Sequence, residues 1–394
     1  MPTLFPDTPG YRGLRERFLN AATEAGAALS SYDHPLSGPF GEKLSTDVAL
    51  LGNPEAKRVL VTISGTHGIE GYYGSDCQSR WLNMLATREL PDDIAILMVH
   101  LINPWGTAWM RRVNEDNVDV NRNYVDFSQA LPNNPAYAAV HDVYTCNDLH
   151  GSERAKADVR FNSLVDEHGW PGLMAIVGAG QYQFPDGLFF GGHGPSWSNR
   201  TLRKILETNL SSASIAMVFD LHTGAGDYGH PMLMTIAQSA YKALPQAQAL
   251  FGPWLYTLIT AANTVSETGV AATSVGYTSQ ALLDTLPNVH LLPLVIECGT
   301  WPGPSVHDSL RDDHWLHLHG DPSDASAQEI KRALLEQFYP ADSDWQELVW
   351  VRTRQIWEKA LLALPSFMSP DGRSSSGHPA HSQGQVSPTA SHQE

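Results

Sequence analysis

The stretch Val59-Leu-Val-Thr-Ile-Ser-Gly-Thr-His67-Gly-Ile-Glu70-Gly71 determines the fold prediction, because it runs from an apolar segment into a turn. Residues 59–63 are apolar β-formers, as in a buried strand. Small residues and glycines then indicate a turn, and residues 72–85 predict a helix. His67 and Glu70 therefore lie where a buried strand turns into a helix. In an open α/β sheet, this end of the strand borders the ligand crevice.

Reactive residues also end other predicted strands. One apolar run ends in Phe219-Asp-Leu-His222, and another ends at Glu297. A catalytic zinc has three protein ligands of the imidazole, thiolate or carboxylate type and an open position for water. His67, Glu70 and His222 fit that requirement, and Glu297 is a spare carboxylate that can deprotonate the water. A single buried histidine or glutamate is usually structural, but a set at equivalent strand ends indicates an active site.

A polar segment, residues 111–123, follows the predicted strand at residues 94–102. A guanidinium from Arg111 or Arg112 could stabilise the oxyanion of a tetrahedral intermediate. Arg122 offers a fork for a substrate carboxylate. This segment therefore predicts the substrate-facing part of the same site.

The whole set resembles the zinc carboxypeptidase superfamily, including its succinylglutamate desuccinylase/aspartoacylase branch. The resemblance covers roughly residues 45–300, and its pieces occur in the family's order. The matching pieces are His67-Gly-Ile-Glu70, Asn103-Pro104, Asp119-Val-Asn121-Arg122-Asn123, Asp220-Leu-His222 and Ile296-Glu297. His-x-x-Glu alone is a weak signal, whereas the complete series is specific.

The resemblance implies one zinc per chain, held by His67, Glu70 and His222, with Glu297 as the general base. It also implies that Asn121 and Arg122 bind a substrate carboxylate, that Asp119 orients a zinc histidine, and that an arginine ahead of that motif polarises the scissile carbonyl. Between the adjacent candidates for this arginine, we favour Arg111 over Arg112. The candidates for a specificity tyrosine are Tyr182, Tyr228 and Tyr277.

The order of elements predicts an α/β fold, a single domain with a mixed, mostly parallel central sheet flanked by helices. We assign residues 1–365 to this zinc-hydrolase domain. Residues 366–394 are rich in Ser, Pro, Gly, His and Gln, which predicts a disordered tail. The predicted strands are 46–51, 59–63, 94–102, 214–221, 232–236 and 291–296, and the predicted helices are 11–29, 72–85, 135–150, 199–210, 241–264, 305–319, 326–338 and 343–363.

Composition limits the partners. The chain has 42 acidic against 25 basic residues, which argues against binding to nucleic acid or an anionic membrane. Its three scattered cysteines suit a reducing compartment and form no cysteine-type zinc cluster. The N-terminus does not read as a signal peptide, and no apolar run approaches the ~18 residues of a membrane span. We therefore predict a cytoplasmic protein.

We predict a zinc-dependent hydrolase that cleaves an amide bond in a short peptide or N-acyl amino acid bearing a carboxylate. One alternative is an esterase or deacylase that uses the same zinc site. Another is a catalytically inactive ligand-binding protein of this fold, although the presence of Glu297 argues against it. A serine hydrolase has little support because no Gly-x-Ser-x-Gly motif occurs. The oligomeric state stays open.

Two further segments carry secondary hypotheses. Residues 178–197 are rich in glycine and aromatic residues, a composition that suits either a substrate-facing loop or a plain surface loop. His193 and His230 are candidates for the cleft wall. The remaining helical histidines are expected on a solvated helix face, namely His307, His314, His317 and His319.

Overall fold

The computed structural model describes residues 8–260 and 274–367, and the structural statements below concern those residues. They form one eight-stranded sheet with the order β1-β2-β4-β3-β5-β8-β6-β7. The strands are β1 (Ala28–Ser37), β2 (Lys43–Gly52), β3 (Arg58–Ile63), β4 (Ile94–His100), β5 (Ile215–Thr223), β6 (Pro231–Ala237), β7 (Leu255–Ile259) and β8 (His290–Cys298).

Four of the seven strand pairings are parallel, and they include the central run β4-β3-β5-β8. The pairings β1-β2, β2-β4 and β6-β8 are antiparallel. The predicted fold class, a mixed and mostly parallel sheet flanked by helices, is therefore confirmed.

Helices cover both faces of the sheet. Leu60 on β3 belongs to a buried cluster that also contains Trp81 and Trp357. Its neighbour Val61 belongs to a different cluster, with Leu202 and Ile205. Because successive residues of a strand point to opposite faces, both faces of the central strands are covered, which explains their continuous apolar runs. The α-helices are α1 (Gly10–Glu24), α2 (Gly71–Leu85), α3 (Pro104–Ala108), α4 (His141–Tyr144), α5 (Ser152–Val177), α6 (Trp197–Leu210), α7 (Leu244–Phe251), α8 (Thr278–Thr285), α9 (Gly303–Leu318), α10 (Ala327–Phe338) and α11 (Ser343–Ala363).

The long helix predicted at residues 241–264 is wrong. The helix α7 is short, and it ends at Gly252, whose φ of 59° lies in the left-handed region that favours glycine. The chain then continues into β7 at the edge of the sheet. The end of the predicted helix, at residues 261–264, lies outside the described residues.

Two other predicted elements differ from the structure. No strand is predicted before residue 46, but Ala28–Ser37 form the edge strand β1, whose side chains are mostly exposed and therefore give little apolar signal. The helix predicted at 135–150 is replaced by a 3-10 turn at Pro135–Ala139 and the four-residue helix α4, and α5 follows where no helix is predicted. This helix is interrupted at Gly169, where φ is 66°. Most of the predicted tail lies outside the described residues, so the boundaries 1–365 and 366–394 stay predictions.

The architecture collects the carboxyl ends of the central strands along one edge of the sheet. β3 leads into His67, and β5 carries His222 directly beside Glu297 on β8 in the parallel register. These positions come from distant parts of the sequence, so the crevice forms only when the sheet is complete. Among the described helices, none combines the length and apolar character that a membrane crossing requires.

Candidate metal and active site

The three predicted metal ligands meet at the bottom of the crevice. Candidate ligand atoms of His67, Glu70 and His222 all lie within 4.8 Å of one another, and all three residues are buried. Nδ1 of His67 is 2.9 Å from Glu70 Oε1, Nδ1 of His222 is 3.0 Å from Glu70 Oε2, and the two Nδ1 atoms are 3.3 Å apart. Tetrahedral ligands about 2.0–2.1 Å from zinc lie about 3.3 Å apart, so the donor set fits this metal.

A carboxylate lies behind each imidazole. Nε2 of His67 is 3.2 Å from Asp119 Oδ1, and Nε2 of His222 is 2.9 Å from Asp220 Oδ2. Asp220 also accepts a hydrogen bond from Thr66 Oγ1 at 2.7 Å. The Asp119 carboxylate favours a proton on Nε2 of His67 and leaves its Nδ1 free to bind a metal, whereas Asp220 is the ion-pair partner of the His222 ring.

The buried charges shift the pKa values of these groups in opposite directions. Burial opposes ionisation of Glu70, but its two histidine neighbours hold its pKa well below the usual range. Burial alone would lower the pKa of His222, but Asp220 and Glu70 raise it well above the usual value. The centre is therefore an ion-paired cluster with a carboxylate at its middle, as a cation site requires.

A tight turn presents His67 and Glu70. The backbone N–H groups of Gly68 and Ile69 donate to the carbonyls of Arg112 and Arg111. A Cβ at Gly68 would lie 2.1 Å from the backbone of Gly106, so only glycine fits this close approach. The ligand turn is thus tied to the polar segment that follows β4.

The structure corrects the preference for Arg111. Arg111 is buried away from the crevice and donates from Nε to Asp313 Oδ2 at 3.1 Å. Arg112 lines the crevice, with Nη1 3.1 Å from Glu70 Oε1 and Nη2 2.9 Å from His67 Nε2. The two neighbours point in different directions because the segment is irregular, and Arg112 is the guanidinium beside the ligands.

Glu297 lies in the same crevice as the ligands. Its Oε1 accepts a hydrogen bond from the backbone N–H of Ala225 at 3.1 Å. Burial and the nearby charge of Glu70 raise the pKa of Glu297 to about 8. A cation at the ligand set would offset the charge of Glu70 and lower this pKa. The placement suits a proton acceptor.

The predicted carboxylate-binding residues line the crevice, but several of their polar atoms are already engaged. Arg122 donates from Nε and Nη2 to the carbonyl of Gly178 and from Nη1 to the carbonyl of Asn121. Its guanidinium also lies 4.9 Å from the ring centroid of Tyr277. Asn121 accepts from the Thr278 N–H through Oδ1. Each Nη of Arg122 therefore keeps one N–H, and a role in substrate binding stays a prediction.

The crevice is a cavity of about 400 Å³. One side is an apolar strip on β6 and β8, formed by Met232, Met234 and Val295. Residues of α5, the following loop and the α9–α10 region form another part of the lining. These residues include Trp170, Met174, Phe189, Trp301, Val306, His307, Leu310 and Phe338.

The secondary candidates occupy different positions in the structure. Among the tyrosine candidates, Tyr277 lines the cavity, Tyr228 is exposed, and Tyr182 donates to the Arg122 carbonyl. His307 and His314 are buried, so the expectation of a solvated face is wrong for them. The helical spacing revealed neither this burial nor the contact of His307 with the cavity.

The fold and the site define the class of an α/β protein with a candidate metal centre at the strand ends. The chain belongs to the family described as "Protein of unknown function (DUF2817)", whose model matches residues 8–352. No curated protein matches it.

Solved structures offer distant similarities. The carboxypeptidase A of Helicoverpa armigera is 13% identical, with 83% of this chain and 73% of that chain covered and a TM-score of 0.43. A metallo-carboxypeptidase from Burkholderia cenocepacia is 14% identical, with 86% and 69% covered and a TM-score of 0.34. A Shewanella amazonensis protein assigned to the succinylglutamate desuccinylase/aspartoacylase family is 18% identical, with 74% and 71% covered and a TM-score of 0.33.

Proposed function

We propose that the protein is a zinc-dependent hydrolase that cleaves an amide bond in a short peptide or an N-acyl amino acid. The observation that carries this proposal is the convergence of two histidine Nδ1 atoms on the Glu70 carboxylate, with Asp119 and Asp220 behind the rings. Two imidazoles and a carboxylate are a donor set typical of catalytic zinc. Free Cys77, Cys146 and Cys298 are compatible with the predicted cytoplasmic location.

Zinc held by His67, Glu70 and His222 would supply a Lewis acid and lower the pKa of a water molecule in the crevice. Glu297 then accepts the proton of the attacking water and transfers it to the leaving nitrogen. Arg112 provides N–H donors for the developing oxyanion, because its guanidinium lies beside the ligands. The remaining N–H groups of Arg122 and the side-chain amide of Asn121 bind the substrate carboxylate.

Metal analysis tests the first part of the proposal. The purified protein should contain about one zinc per chain, because a catalytic site holds a single ion between three protein ligands. His67→Ala and His222→Ala should lose it. His168→Ala is a matched control, since this histidine is exposed on α5. Unchanged zinc content in both ligand variants would contradict the proposed site.

Hydrolysis tests the second part. A panel of N-acyl amino acids, dipeptides and esters should reveal an amide substrate whose cleavage stops with a chelator and returns with zinc. Activity restricted to esters would favour the esterase alternative. Ligand binding without hydrolysis of any panel member by the zinc-loaded protein would favour the inactive binding protein.

A further inference from the structure

Two large exposed aromatic side chains pack together beside the cavity, and one of them, Trp301, lines it. Trp301 is 36% exposed, Tyr228 is 43% exposed, and their ring centroids are 5.2 Å apart. Trp301 Nε1 donates to the Glu336 carbonyl, and Tyr228 Oη donates to Asp342 Oδ2, each at 2.9 Å. Because their polar atoms are bonded to the protein, the rings are held in place as an apolar surface in contact with water.

The loops that carry these rings also hold Glu297. Trp301 follows Glu297 by four residues, and Tyr228 lies on the loop whose backbone N–H binds the Glu297 carboxylate. The loops are joined backbone to backbone, since Gly229 N–H donates to the Gly299 carbonyl at 3.0 Å. The aromatic pair is therefore fixed relative to the proposed base.

An aromatic wall continues from Trp301 to Arg112. Trp170 packs on Gly303, where a Cβ would lie 2.3 Å from the indole ring. Trp170 also meets the edge of His307, with ring centroids 4.8 Å apart, and His307 stacks on Phe189 at 5.8 Å. The guanidinium of Arg112 lies 5.1 Å from the Phe189 centroid. These side chains line the cavity, so the wall connects the proposed oxyanion donor to the exposed rings.

This wall is uncharged at neutral pH, and its outer rim is acidic. Burial and the nearby arginines lower the pKa of His307 to about 3, so its imidazole is neutral. Asp227 is exposed beside Tyr228, and Asp342 lies under the Tyr228 hydroxyl. An anionic group on this side would lose its hydration and meet carboxylates, whereas an apolar group would gain contact area.

We propose that the aromatic wall formed by Phe189, Trp170 and Trp301, which Tyr228 extends outward through its contact with Trp301, is the subsite for the acyl part of the substrate. It selects an uncharged apolar or aromatic acyl group several atoms long over acetyl or succinyl. The inference rests on the proposed function, because it places the scissile bond between Arg112 and Glu297. A substrate bound by its carboxylate at Arg122 then extends its acyl side along the wall.

Binding of acyl products tests the subsite independently of hydrolysis. Acetate, succinate, hexanoate and 2-naphthoate are titrated calorimetrically into the zinc-loaded full-length protein. The wild type should bind 2-naphthoate about tenfold more tightly than acetate or succinate, the scale expected for one buried aromatic contact. Trp301→Ala should abolish most of this preference, and Trp301→Phe should retain most of it because a ring remains.

Trp254→Ala is the matched control, since Trp254 is 57% exposed and stacks on Arg352 elsewhere on the surface. An equal loss of preference in this control, or an unchanged preference in Trp301→Ala, would overturn the proposal. Tighter binding of succinate than of 2-naphthoate would overturn it as well. The same acyl groups on one amino acid then test hydrolysis. If none is cleaved while the binding preference holds, the proposed hydrolase function fails, and the wall stands only as a binding site for the apolar group.

Discussion

At the scale of single residues, the centre is a set of carboxylates with different tasks. Glu70 bridges the two Nδ1 atoms, Asp119 and Asp220 lie behind the rings, and Glu297 contacts only a backbone N–H among the bonds described for its side chain. Neighbouring cations hold the pKa values of Glu70 and Asp119 below their usual ranges. Glu297 instead has a raised pKa, so it is the carboxylate best suited to accept a proton.

We expect Glu297→Gln to keep zinc but lose turnover, because the amide preserves volume and removes the base. The kcat should fall by ~10²–10⁴, the usual size of general-base catalysis. Metal analysis and steady-state kinetics on the best amide substrate measure both effects. Glu347→Gln, on an exposed surface glutamate, is the control. Full activity of Glu297→Gln would refute the proposed mechanism.

The adjacent arginines should respond differently to the same substitution. Arg112→Gln should depress kcat much more than it raises KM, because the lost N–H groups act on the developing oxyanion. Arg111→Gln should mainly lower the free energy of unfolding, by about 3–5 kcal/mol, since it leaves the buried Asp313 without one of its cationic partners. Kinetics and urea unfolding of both variants measure this contrast. A selective loss of kcat in Arg111→Gln alone would reverse the assignment.

The residue types at strand ends were enough to predict that His67, Glu70 and His222 meet, because a strand delivers its last side chains to a known edge. They could not show which of Arg111 and Arg112 faces the crevice, since the irregular backbone of this segment sets the direction of each side chain. The position of Asp220 beside His222 could have been predicted, because residues two apart on a strand share a face. His307 gave no such signal, since its contact with the cavity depends on the packing of α9.

At the scale of elements, two loops at the end of β8 control the position of Glu297. The loop after β5 donates the Ala225 N–H, and the loop after β8 begins at Gly299. A Cβ on Gly299 would lie 2.0 Å from the Asp227 carbonyl oxygen, so the two backbones can be this close only with glycine. The hydrogen bond to Glu297 therefore depends on the absence of a side chain two residues away.

Gly299→Ala should separate these loops and weaken the Ala225–Glu297 hydrogen bond. We expect a loss of stability of about 1–3 kcal/mol, as for overpacked sites, together with a lower kcat. Thermal unfolding and kinetics are the measurements. Gly194→Ala is the matched control, because a Cβ there meets nothing within 4 Å. Wild-type behaviour of Gly299→Ala would show that the close approach is not required.

The prediction of helices and strands succeeded where the apolar pattern was strong, as in β3, β4 and α11. It failed at β1 because an exposed edge strand has little apolar pattern. It failed after α7 because apolar residues continue past Gly252 into β7, and a helix and a buried strand are hard to distinguish in such a run. The proposed site survived these errors because its residues lie on the central strands and their following turns.

At the scale of the whole molecule, α9 carries three buried or half-buried histidines, of which His307 lines the cavity. Burial and nearby arginine charges lower the pKa of His307 to about 3 and of His317 to about 2. Burial likewise lowers the pKa of His314 to about 4. Unfolding releases these imidazoles to a pKa near 6.5. The net charge of −17 does not show that the packing of these histidines makes the stability depend on pH.

The sign of the pH dependence follows from these shifts. Below pH 6.5 the three histidines are protonated in the unfolded chain but stay neutral in the folded chain. Their contribution to stability is therefore full above pH 6.5 and is lost on acidification. Glu297 acts in the opposite direction, since its pKa is about 8 when folded and its folded form binds the extra proton. Three histidines outweigh one glutamate, so the metal-free protein should lose stability between pH 6.5 and pH 5.

His314→Gln isolates one of these protons. His314 is fully buried, and its Nε2 lies 2.6 Å from the Asp186 carbonyl, a bond that a glutamine amide can replace. One proton that binds only the unfolded chain, over 1.5 pH units, corresponds to roughly 2 kcal/mol in the free energy of unfolding. The difference in free energy of unfolding between pH 7 and pH 5, measured by urea titration with chelator, should therefore shrink by about that amount. His168→Gln, on an exposed histidine, should leave the difference unchanged. An unaltered difference in His314→Gln would mean that this imidazole is already protonated in the folded protein, and the pH dependence would then come from other buried groups.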